Sequence, residues 1–103
     1  MKKLLFDDET IFILAEIAQS YEGDKHILLE IIDGLAIAKT NGIMFQVVYA
    51  DELAVSDYDY FDLFRSLEMS NDNWEEVVKR IKHHNVQVVA EVFGVKSFDL
   101  MIN

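Results

Sequence analysis

The stretch Ile11-Phe12-Ile13-Leu14-Ala15-Glu16-Ile17-Ala18 decides the fold, because it is an unbroken apolar run with a single charge near its end. A run of this kind is typical of a strand that is buried on both faces, as the strands of parallel sheets are. Two further apolar runs that are rich in β-forming residues follow at 43–49 and 86–93. The sequence therefore predicts three buried strands.

A segment with helical periodicity lies between the first two predicted strands. Residues 26–39 carry apolar side chains at helical spacing, which predicts one amphipathic helix. Asp24 is the expected N-cap of this helix, and Asn41-Gly42 is the expected stop signal at its other end.

The second interval, between the second and third strands, is longer and predicts two helices after an acidic loop at 50–56. Ser56 is the expected cap of the first of them, and Asn71 is the expected cap of the second, which should end at Asn85. A last helix is expected over 95–102, after the third strand.

The order β-α-β-α-α-β-α predicts the α/β class with parallel strands and right-handed crossovers. Three parallel strands belong either to a small open sheet or to part of a barrel, since a closed (β/α)₈ barrel needs about eight. Either arrangement leaves two sheet edges unpaired, and unpaired edges promote association.

Composition limits the class of protein. The chain has 103 residues, of which 51% are apolar, so one folded domain over 1–103 is expected. Its 9 basic and 19 acidic residues give a net charge of −10, which argues against charge-driven binding of nucleic acid or an anionic membrane. The absence of cysteine excludes zinc–thiolate sites and a disulfide scaffold.

A signal peptide is not expected, because three acidic residues at 7–9 end the N-terminal apolar run before it is long enough for the hydrophobic region of a signal peptide. No apolar stretch approaches the roughly 18 residues that span a bilayer. The expected location is cytoplasmic, without a membrane partner.

Polar side chains stand near the C-terminal end of each predicted strand: Glu16, Gln46 and Glu91. In α/β folds the carboxyl ends of parallel strands form the ligand crevice. A charge inside an apolar run is costly unless it is paired or functional. These residues are therefore candidate site residues; the alternative is that they only cap strand ends or pair with neighbouring loops.

Two other polar groups are weaker candidates. His83 and His84 are adjacent on a helix, so their side chains diverge and do not converge on one metal ion; we expect both to be solvated. The acidic residues within 51–62, and Asp7, Asp8 and Glu9 near the N-terminus, lack the spacing of a calcium loop. We expect these carboxylates to lie in solvated loops and to bind no metal.

Four segments together resemble one known family, the N-acetylneuraminate (sialic acid) synthases. Residues 16–24, EIAQSYEGD, resemble the first-strand signature A-E-I-G-x-N-H-x-G-[DNS], and 45–53, FQVVYADEL, are similar to the second-strand segment K-F-Q…A-x-E-L. Residues 60–69, YFDLFRSLEM, resemble the helical stretch Y-x-[DE]-L-x-K-x-L-E-[LM]. Residues 91–94, EVFG, are similar to the third-strand region T-P-F-D or D-V-F-G.

The resemblance implies a (β/α)₈ TIM barrel that condenses phosphoenolpyruvate with an N-acetylated sugar aldehyde to give a nonulosonic acid. A barrel needs about 250 residues, so 1–103 is expected to be an incomplete N-terminal segment holding the first three strands and their helices. The family also uses a divalent metal, Mn or Mg, whose histidine ligands come from later strands. No metal is therefore expected on this chain alone.

The same resemblance implies roles for five residues. Glu16 takes the catalytic position at the end of the first strand, and Gln46 contacts substrate at the end of the second. Glu91 stands where the main branch has a phosphate-binding Thr, Met44 where it has the Lys that binds phosphoenolpyruvate, and Tyr21 where it has the His of the first motif. A thioether cannot balance an anion, and a carboxylate repels one unless it is protonated or paired.

Two functions from different classes follow from these observations. The first is an N-terminal fragment of a sialic acid synthase-like enzyme that is inactive alone. The alternative is a stand-alone small α/β module that binds a ligand or partner without catalysis. Self-association through the open sheet edges is expected in both cases.

Overall fold

The computed structural model describes residues 11–102 and has the predicted α/β architecture. Among these residues, three strands and five helices follow one another in this order: β1 Leu14–Ile17, α1 Lys25–Ile37, β2 Gly42–Gln46, α2 Ala50–Leu53, α3 Phe61–Ser66, α4 Asn71–His83, β3 Gln87–Glu91 and α5 Val95–Ile102. All three predicted strands exist, although each is shorter than its apolar run. The short helix α2 occupies part of the predicted acidic loop.

The strands form a single sheet in the order β1-β2-β3, and both pairs are parallel. Across the sheet, Glu16 of β1 lies opposite Met44 of β2, and Gln46 of β2 lies opposite Glu91 of β3. The three strands thus end together at their carboxyl edge, which confirms the predicted parallel arrangement.

One face of the sheet is covered by helices α1 and α4. Ile43 and Phe45 point toward these helices and are 0% exposed, and the Phe45 ring stacks on Trp74 of α4 with centroids 5.2 Å apart. Leu28 of α1 and Val77 of α4 belong to the same apolar cluster. Burial of these side chains is the main favourable term for the fold.

The opposite face of the sheet has no covering layer among residues 11–102. Side chains alternate along a strand, so Leu14 and Glu16 point away from the helices, and both are exposed. The prediction that the first strand is buried on both faces is therefore wrong, because this part of the chain supplies only one helical layer.

The predicted helix boundaries were correct in some places and wrong in others. Asp24 caps α1 as predicted, since its Oδ1 accepts hydrogen bonds from the backbone N–H of His26 at 2.8 Å and of Ile27 at 3.3 Å. The stop at Asn41-Gly42 is wrong: α1 ends at Ile37, and Lys39 makes the turn with φ of 65°.

The two later caps also differ from the prediction. Ser70, not Asn71, caps α4, with its Oγ accepting from the Asn73 N–H at 3.2 Å. Ser56 caps nothing, because α3 begins only at Phe61 and has no side-chain cap. Asn85 ends α4 as predicted, with φ of 58°.

None of the described helices, whose longest have 13 residues, could cross a bilayer.

Candidate functional site

The candidate site is the carboxyl edge of the uncovered sheet face, which we call the strand-end face. It carries Glu16, Met44, Gln46 and Glu91. Strand register places all four side chains on the same side of the sheet, because residues paired across parallel strands, and residues two apart along one strand, point the same way. The polar side chains that the sequence places at the strand ends therefore share one side of the sheet.

Hydrogen bonds join the ends of β2 and β3. The Gln46 side chain donates through Nε2 to Glu91 Oε2 at 3.3 Å and accepts at Oε1 from Gln19 Nε2 at 2.9 Å. These three part-buried side chains form a line across the carboxyl edge of the sheet. The alternative reading of Gln46 and Glu91, as residues that pair with neighbours, is thus also realised in part.

Gln19 is the site residue that sequence reasoning missed. It lies in the turn directly after β1, within the segment that resembles the first-strand signature. The sequence did offer one indication of this role: Gln19 has an amide side chain and directly follows the strand that carries the candidate carboxylate Glu16. Only the fold shows that this amide reaches Gln46, which is 27 residues further along the chain.

Glu16 and Met44 form the second row of the strand-end face. They are partners in register, with Val89 of β3 beyond them. Glu16 is exposed, whereas Met44 is half-buried between its neighbours. This row therefore offers one carboxylate and two neutral, apolar groups.

Tyr21 lies apart from the strand-end face, in the hydrophobic core. It is 0% exposed, and its hydroxyl has no hydrogen-bond partner of ordinary geometry among the described residues. Burial raises the pKa of Tyr21 to about 12, and the nearby Gln19 side chain opposes that rise. A ligand could reach this phenol only by displacing core side chains.

The described residues do not fit a metal site. Within residues 11–102, no group of three or more His, Asp or Glu side chains is arranged to hold an ion. The predicted weak candidates Asp7, Asp8 and Glu9 lie outside the described residues.

Glu52 has a structural role that differs from the solvated loop we expected. Its Oε2 accepts from the backbone N–H of Lys96 at 2.9 Å and of Ser97 at 3.3 Å, at the start of α5. A carboxylate at this position satisfies orphan N–H groups and complements the helix dipole. The other acidic residues of this segment, Asp51, Asp57, Asp59 and Asp62, are exposed.

His84 is another correction, because it is paired rather than solvated. Its Nε2 lies 2.8 Å from Asp33 Oδ1, while Arg80 Nη1 donates to Asp33 Oδ2 at 2.6 Å. The hydrogen bond from His84, followed by that from Arg80, holds the pKa of Asp33 below its usual value. These contacts join α1 to α4 far from the strand ends; His83 is exposed.

An open groove of about 1130 Å³ lies in the helical layer between α4 and α5. Tyr49 and Trp74 form part of its wall, with Lys96 Nζ 4.3 Å from the centroid of the Tyr49 ring. Its lining includes both acidic and basic side chains, and none of the lining residues belongs to the strand-end face. We therefore place the candidate site at the strand ends and not in this groove.

Comparison with solved structures shows what the fold is similar to. The chain matches an N-acetylneuraminic acid (sialic acid) synthetase from Leptospira borgpetersenii, crystallised with citrate, with a TM-score of 0.81 and 26% identity over 89% of this chain and 32% of that one. It also matches a spore coat polysaccharide biosynthesis protein from Bacillus subtilis, with a TM-score of 0.71 and 26% identity over 93% of this chain and 27% of that one.

Sequence comparison adds one curated relative. An uncharacterised protein of Methanocaldococcus jannaschii is 24% identical over 93 residues, which are 90% of this chain and 28% of that protein. No family model matches the sequence. The chain thus spans less than a third of the length of the proteins that it matches.

These findings confirm the predicted resemblance to the N-terminal part of sialic acid synthases. They also confirm the fold class, an α/β chain whose three parallel strands match part of a (β/α)₈ barrel. Roles for individual residues are not tested by this likeness and stay predictions.

Proposed function

We propose that residues 1–103 are the N-terminal segment of a cytoplasmic, sialic acid synthase-like barrel. The first three strands of that barrel, which this segment contains, form one part of the wall of its pocket. The completed barrel condenses phosphoenolpyruvate with an N-acetylated sugar aldehyde to form a nonulosonic acid. The segment alone is inactive, because it forms about three of the eight strands that enclose a barrel pocket.

The observation that carries the proposal is the shared orientation of the strand-end side chains. Gln46 and Glu91 lie next to each other, and Glu16 lies on the same uncovered face. Active sites of (β/α)₈ barrels are built at the carboxyl ends of the strands. The match to a sialic acid synthetase at a TM-score of 0.81 supports this family over other barrels.

In the proposed function, Glu16 is the catalytic side chain of this segment and Gln46 binds substrate hydroxyl or amide groups. An exposed carboxylate at a pocket wall can accept a proton or a hydrogen bond from a sugar hydroxyl. Glu91 and Met44 complete the substrate-facing wall. Residues 11–102 contain no ligand set for the divalent metal that the resemblance implies.

The proposal can be tested with a chimaera in which residues 11–102 replace the matching segment of the Leptospira synthetase. We expect a folded barrel that binds phosphoenolpyruvate weakly, since Met44 provides no positive charge. Met44→Lys in the chimaera should tighten binding of phosphoenolpyruvate at least tenfold, measured by calorimetry, and should raise the rate of condensation.

Circular dichroism and thermal unfolding of the chimaera serve as controls for folding. Val89→Lys, one strand further along the same row, is the matched control for an added charge and should produce a smaller gain. A folded chimaera in which Met44→Lys brings no gain would show that the alignment of this segment with the family is misplaced.

The alternative function is a stand-alone module that binds a ligand or a partner without catalysis. Exposed apolar side chains next to both ends of the sheet are compatible with this function, as they are with a barrel fragment. Ile11 and Ile13 precede β1, and Phe98 and Ile102 lie on α5, the helix that follows β3 in the chain. We propose that copies of the chain associate through these edges when no other part of a barrel covers them.

A further inference from the structure

The pair Asn41-Gly42, which does not end α1, lies at the start of the central strand and joins all three strands. Asn41 Oδ1 accepts from the Ile13 N–H at 2.7 Å, and the N–H groups of Asn41 and Gly42 donate to the Ile13 carbonyl at 2.9 and 3.1 Å. On the other side, the Asn41 carbonyl accepts from the Gln87 N–H at 2.9 Å. Asn41 therefore ties the amino ends of β1 and β3 to the start of β2.

Glycine at position 42 has a separate structural reason, which is space. A Cβ atom there would lie 3.0 Å from Leu14 Cδ1 and 3.1 Å from Phe12 Cζ, closer than ordinary van der Waals contact. Asn41 supplies the side-chain acceptor for Ile13, and Gly42 makes room for the side chains beside it. The fold thus uses both residues of a pair that is chemically labile.

An asparagine that precedes a glycine loses its side-chain amide through a succinimide. The Gly42 nitrogen gives up its proton and bonds to Asn41 Cγ, while the bond from Cγ to the side-chain nitrogen breaks and that nitrogen leaves as ammonia with the proton. Water then opens the ring at either carbonyl, which gives aspartate or isoaspartate. Asparagine is a thermolabile residue, and glycine has no side chain to hinder the attack. Asn41 is the only asparagine in the sequence that precedes glycine.

The folded sheet engages both reacting groups. The Gly42 nitrogen, which must attack, donates its proton to the Ile13 carbonyl, and the Asn41 amide, which must be attacked, accepts from the Ile13 N–H. Separation of β1 from β2 therefore releases both groups together. Local opening is easiest where few apolar side chains are buried, and Ile17 is the only buried residue of β1.

We propose that Asn41 is a deamidation site that the folded sheet protects and that reacts when β1 separates from β2. Isoaspartate at position 41 routes the main chain through the former side chain and lengthens it by one carbon. The oxygens that bind Ile13 and Gln87 then no longer share their present geometry, so the modification prevents β1 from pairing again. This inference does not depend on the proposed function.

The test follows deamidation at pH 8.5 and 37 °C in the folded chain and in the chain unfolded with guanidinium chloride. Trypsin releases Asn41 in the peptide 40–65, and Asn71 and Asn73 in the peptide 66–79; mass spectrometry measures conversion of amide to acid in each. We expect peptide 40–65 to react at least tenfold faster in the unfolded chain than in the folded chain. In the unfolded chain, peptide 66–79 should react at least tenfold more slowly than 40–65, and Asn41→Gln should remove the reaction of 40–65.

Two matched variants separate opening of β1 from unfolding of the whole chain. Ile17→Val shortens a buried side chain of β1, and Ile81→Val makes the same change in α4, where the side chain is also buried. We expect Ile17→Val to raise the rate of deamidation in the folded chain at least threefold and Ile81→Val to raise it less than twofold. Circular dichroism checks that both variants are folded.

Three outcomes would overturn the inference. The first is equal rates in the folded and unfolded chains, and the second is an equal effect of Ile17→Val and Ile81→Val, which would assign the reaction to global unfolding. The third is an isoaspartyl form, isolated by chromatography, in which the amide protons of β1 keep their protection from hydrogen exchange. None of these outcomes affects the proposed function, which the chimaera tests separately.

Discussion

At the scale of one residue, the environment of Tyr21 in the structure differs from the one that its position in the motif implies. Its place in the first-strand signature implies contact with substrate, yet its ring is packed in the core at 0% exposure. The hydroxyl is buried and lacks a partner of ordinary geometry among residues 11–102. Such a group costs free energy on folding, because it gives up hydrogen bonds to water.

We predict that Tyr21→Phe leaves the free energy of unfolding at pH 7 unchanged or raises it by up to about 1 kcal/mol, since the variant removes the desolvation cost of a buried hydroxyl whose contact with Gln19 lacks good hydrogen-bond geometry. Urea unfolding measures the change. Tyr58→Phe, at an exposed ring, is the control. A clear loss of stability in Tyr21→Phe would mean that the hydroxyl makes a hydrogen bond that stabilises the fold.

The raised pKa of Tyr21 also predicts how stability depends on alkaline pH. Because the pKa is raised to about 12, the neutral phenol is favoured in the folded state. Its contribution is fully present below the unfolded pKa of about 10 and is lost as the pH rises toward 12. Unfolding midpoints measured between pH 9 and 11.5 should fall less steeply in Tyr21→Phe than in the unmodified chain.

At the scale of elements, Asp33 of α1 links this helix to α4 through hydrogen bonds with His84 and Arg80. Its side chain is 37% exposed, so solvent screens the interaction and we expect a contribution of about 0.5–1 kcal/mol. The pKa of Asp33 is lowered, first by His84 and then by Arg80. The folded state therefore favours the carboxylate.

We predict that Asp33→Asn destabilises the chain at pH 7 and that this difference disappears in acid. A lowered pKa gives stability that is present above the unfolded pKa of about 3.9 and is lost as the pH falls through the folded value below it. Denaturant unfolding at pH 7, 5, 4 and 3 tests this. Asp59→Asn, in an exposed loop, should show no such dependence; equal losses at pH 7 and pH 3 would contradict the mechanism.

The junction between β3 and α5 depends on close approach at Gly94. A Cβ atom there would overlap Glu52 Oε2, the oxygen that accepts from the Lys96 and Ser97 N–H groups. Side-chain caps of this kind stabilise a helix by about 1 kcal/mol. Only glycine leaves room at position 94 for the Glu52 carboxylate, and this lets Glu52 of α2 cap the N-terminus of α5.

We predict that Gly94→Ala lowers the free energy of unfolding by about 1–2 kcal/mol, because it displaces the Glu52 cap. In the background of Glu52→Ala the same substitution should cost much less, since the overlapping carboxylate is gone. A double-mutant cycle of unfolding free energies measures this coupling. Additive losses would show that Gly94 acts through something other than Glu52.

At the scale of the whole molecule, the sheet has one covered face, and within residues 11–102 nothing covers its other face or pairs with its two edges. The exposed apolar side chains that precede β1 or follow β3 in the chain include Ile11 at 86%, Phe98 at 50% and Ile102 at 62%. Apolar groups that border free backbone donors and acceptors favour pairing with another chain or with further strands.

We predict that the purified chain self-associates and that Phe98→Glu shifts it toward monomer at least tenfold in dissociation constant. Size-exclusion chromatography with light scattering over a range of concentrations measures both. Tyr60→Glu, at an exposed ring in the segment before α3, is the matched control and should change little. A monomer at every concentration would contradict association through the edges.

Much of the fold could be predicted from local pattern. The three strands, the parallel class and the cap at Asp24 follow from hydrophobic periodicity and from one side chain that hydrogen-bonds residues two and three positions away. The candidate positions Gln46 and Glu91 were found in the same way, as polar residues at the ends of apolar runs. These features depend on neighbours in sequence, which is why the sequence alone determined them.

The tertiary structure alone decided the rest. The bond of Gln19 to Gln46 spans 27 residues, and that of Asp33 to His84 spans 51. The exposure of β1, the burial of Tyr21 and the use of Glu52 as a cap for α5 also depend on which elements pack together. A continuous apolar run looks the same whether one layer or two will cover it, because burial is a property of the assembled layers and not of the strand.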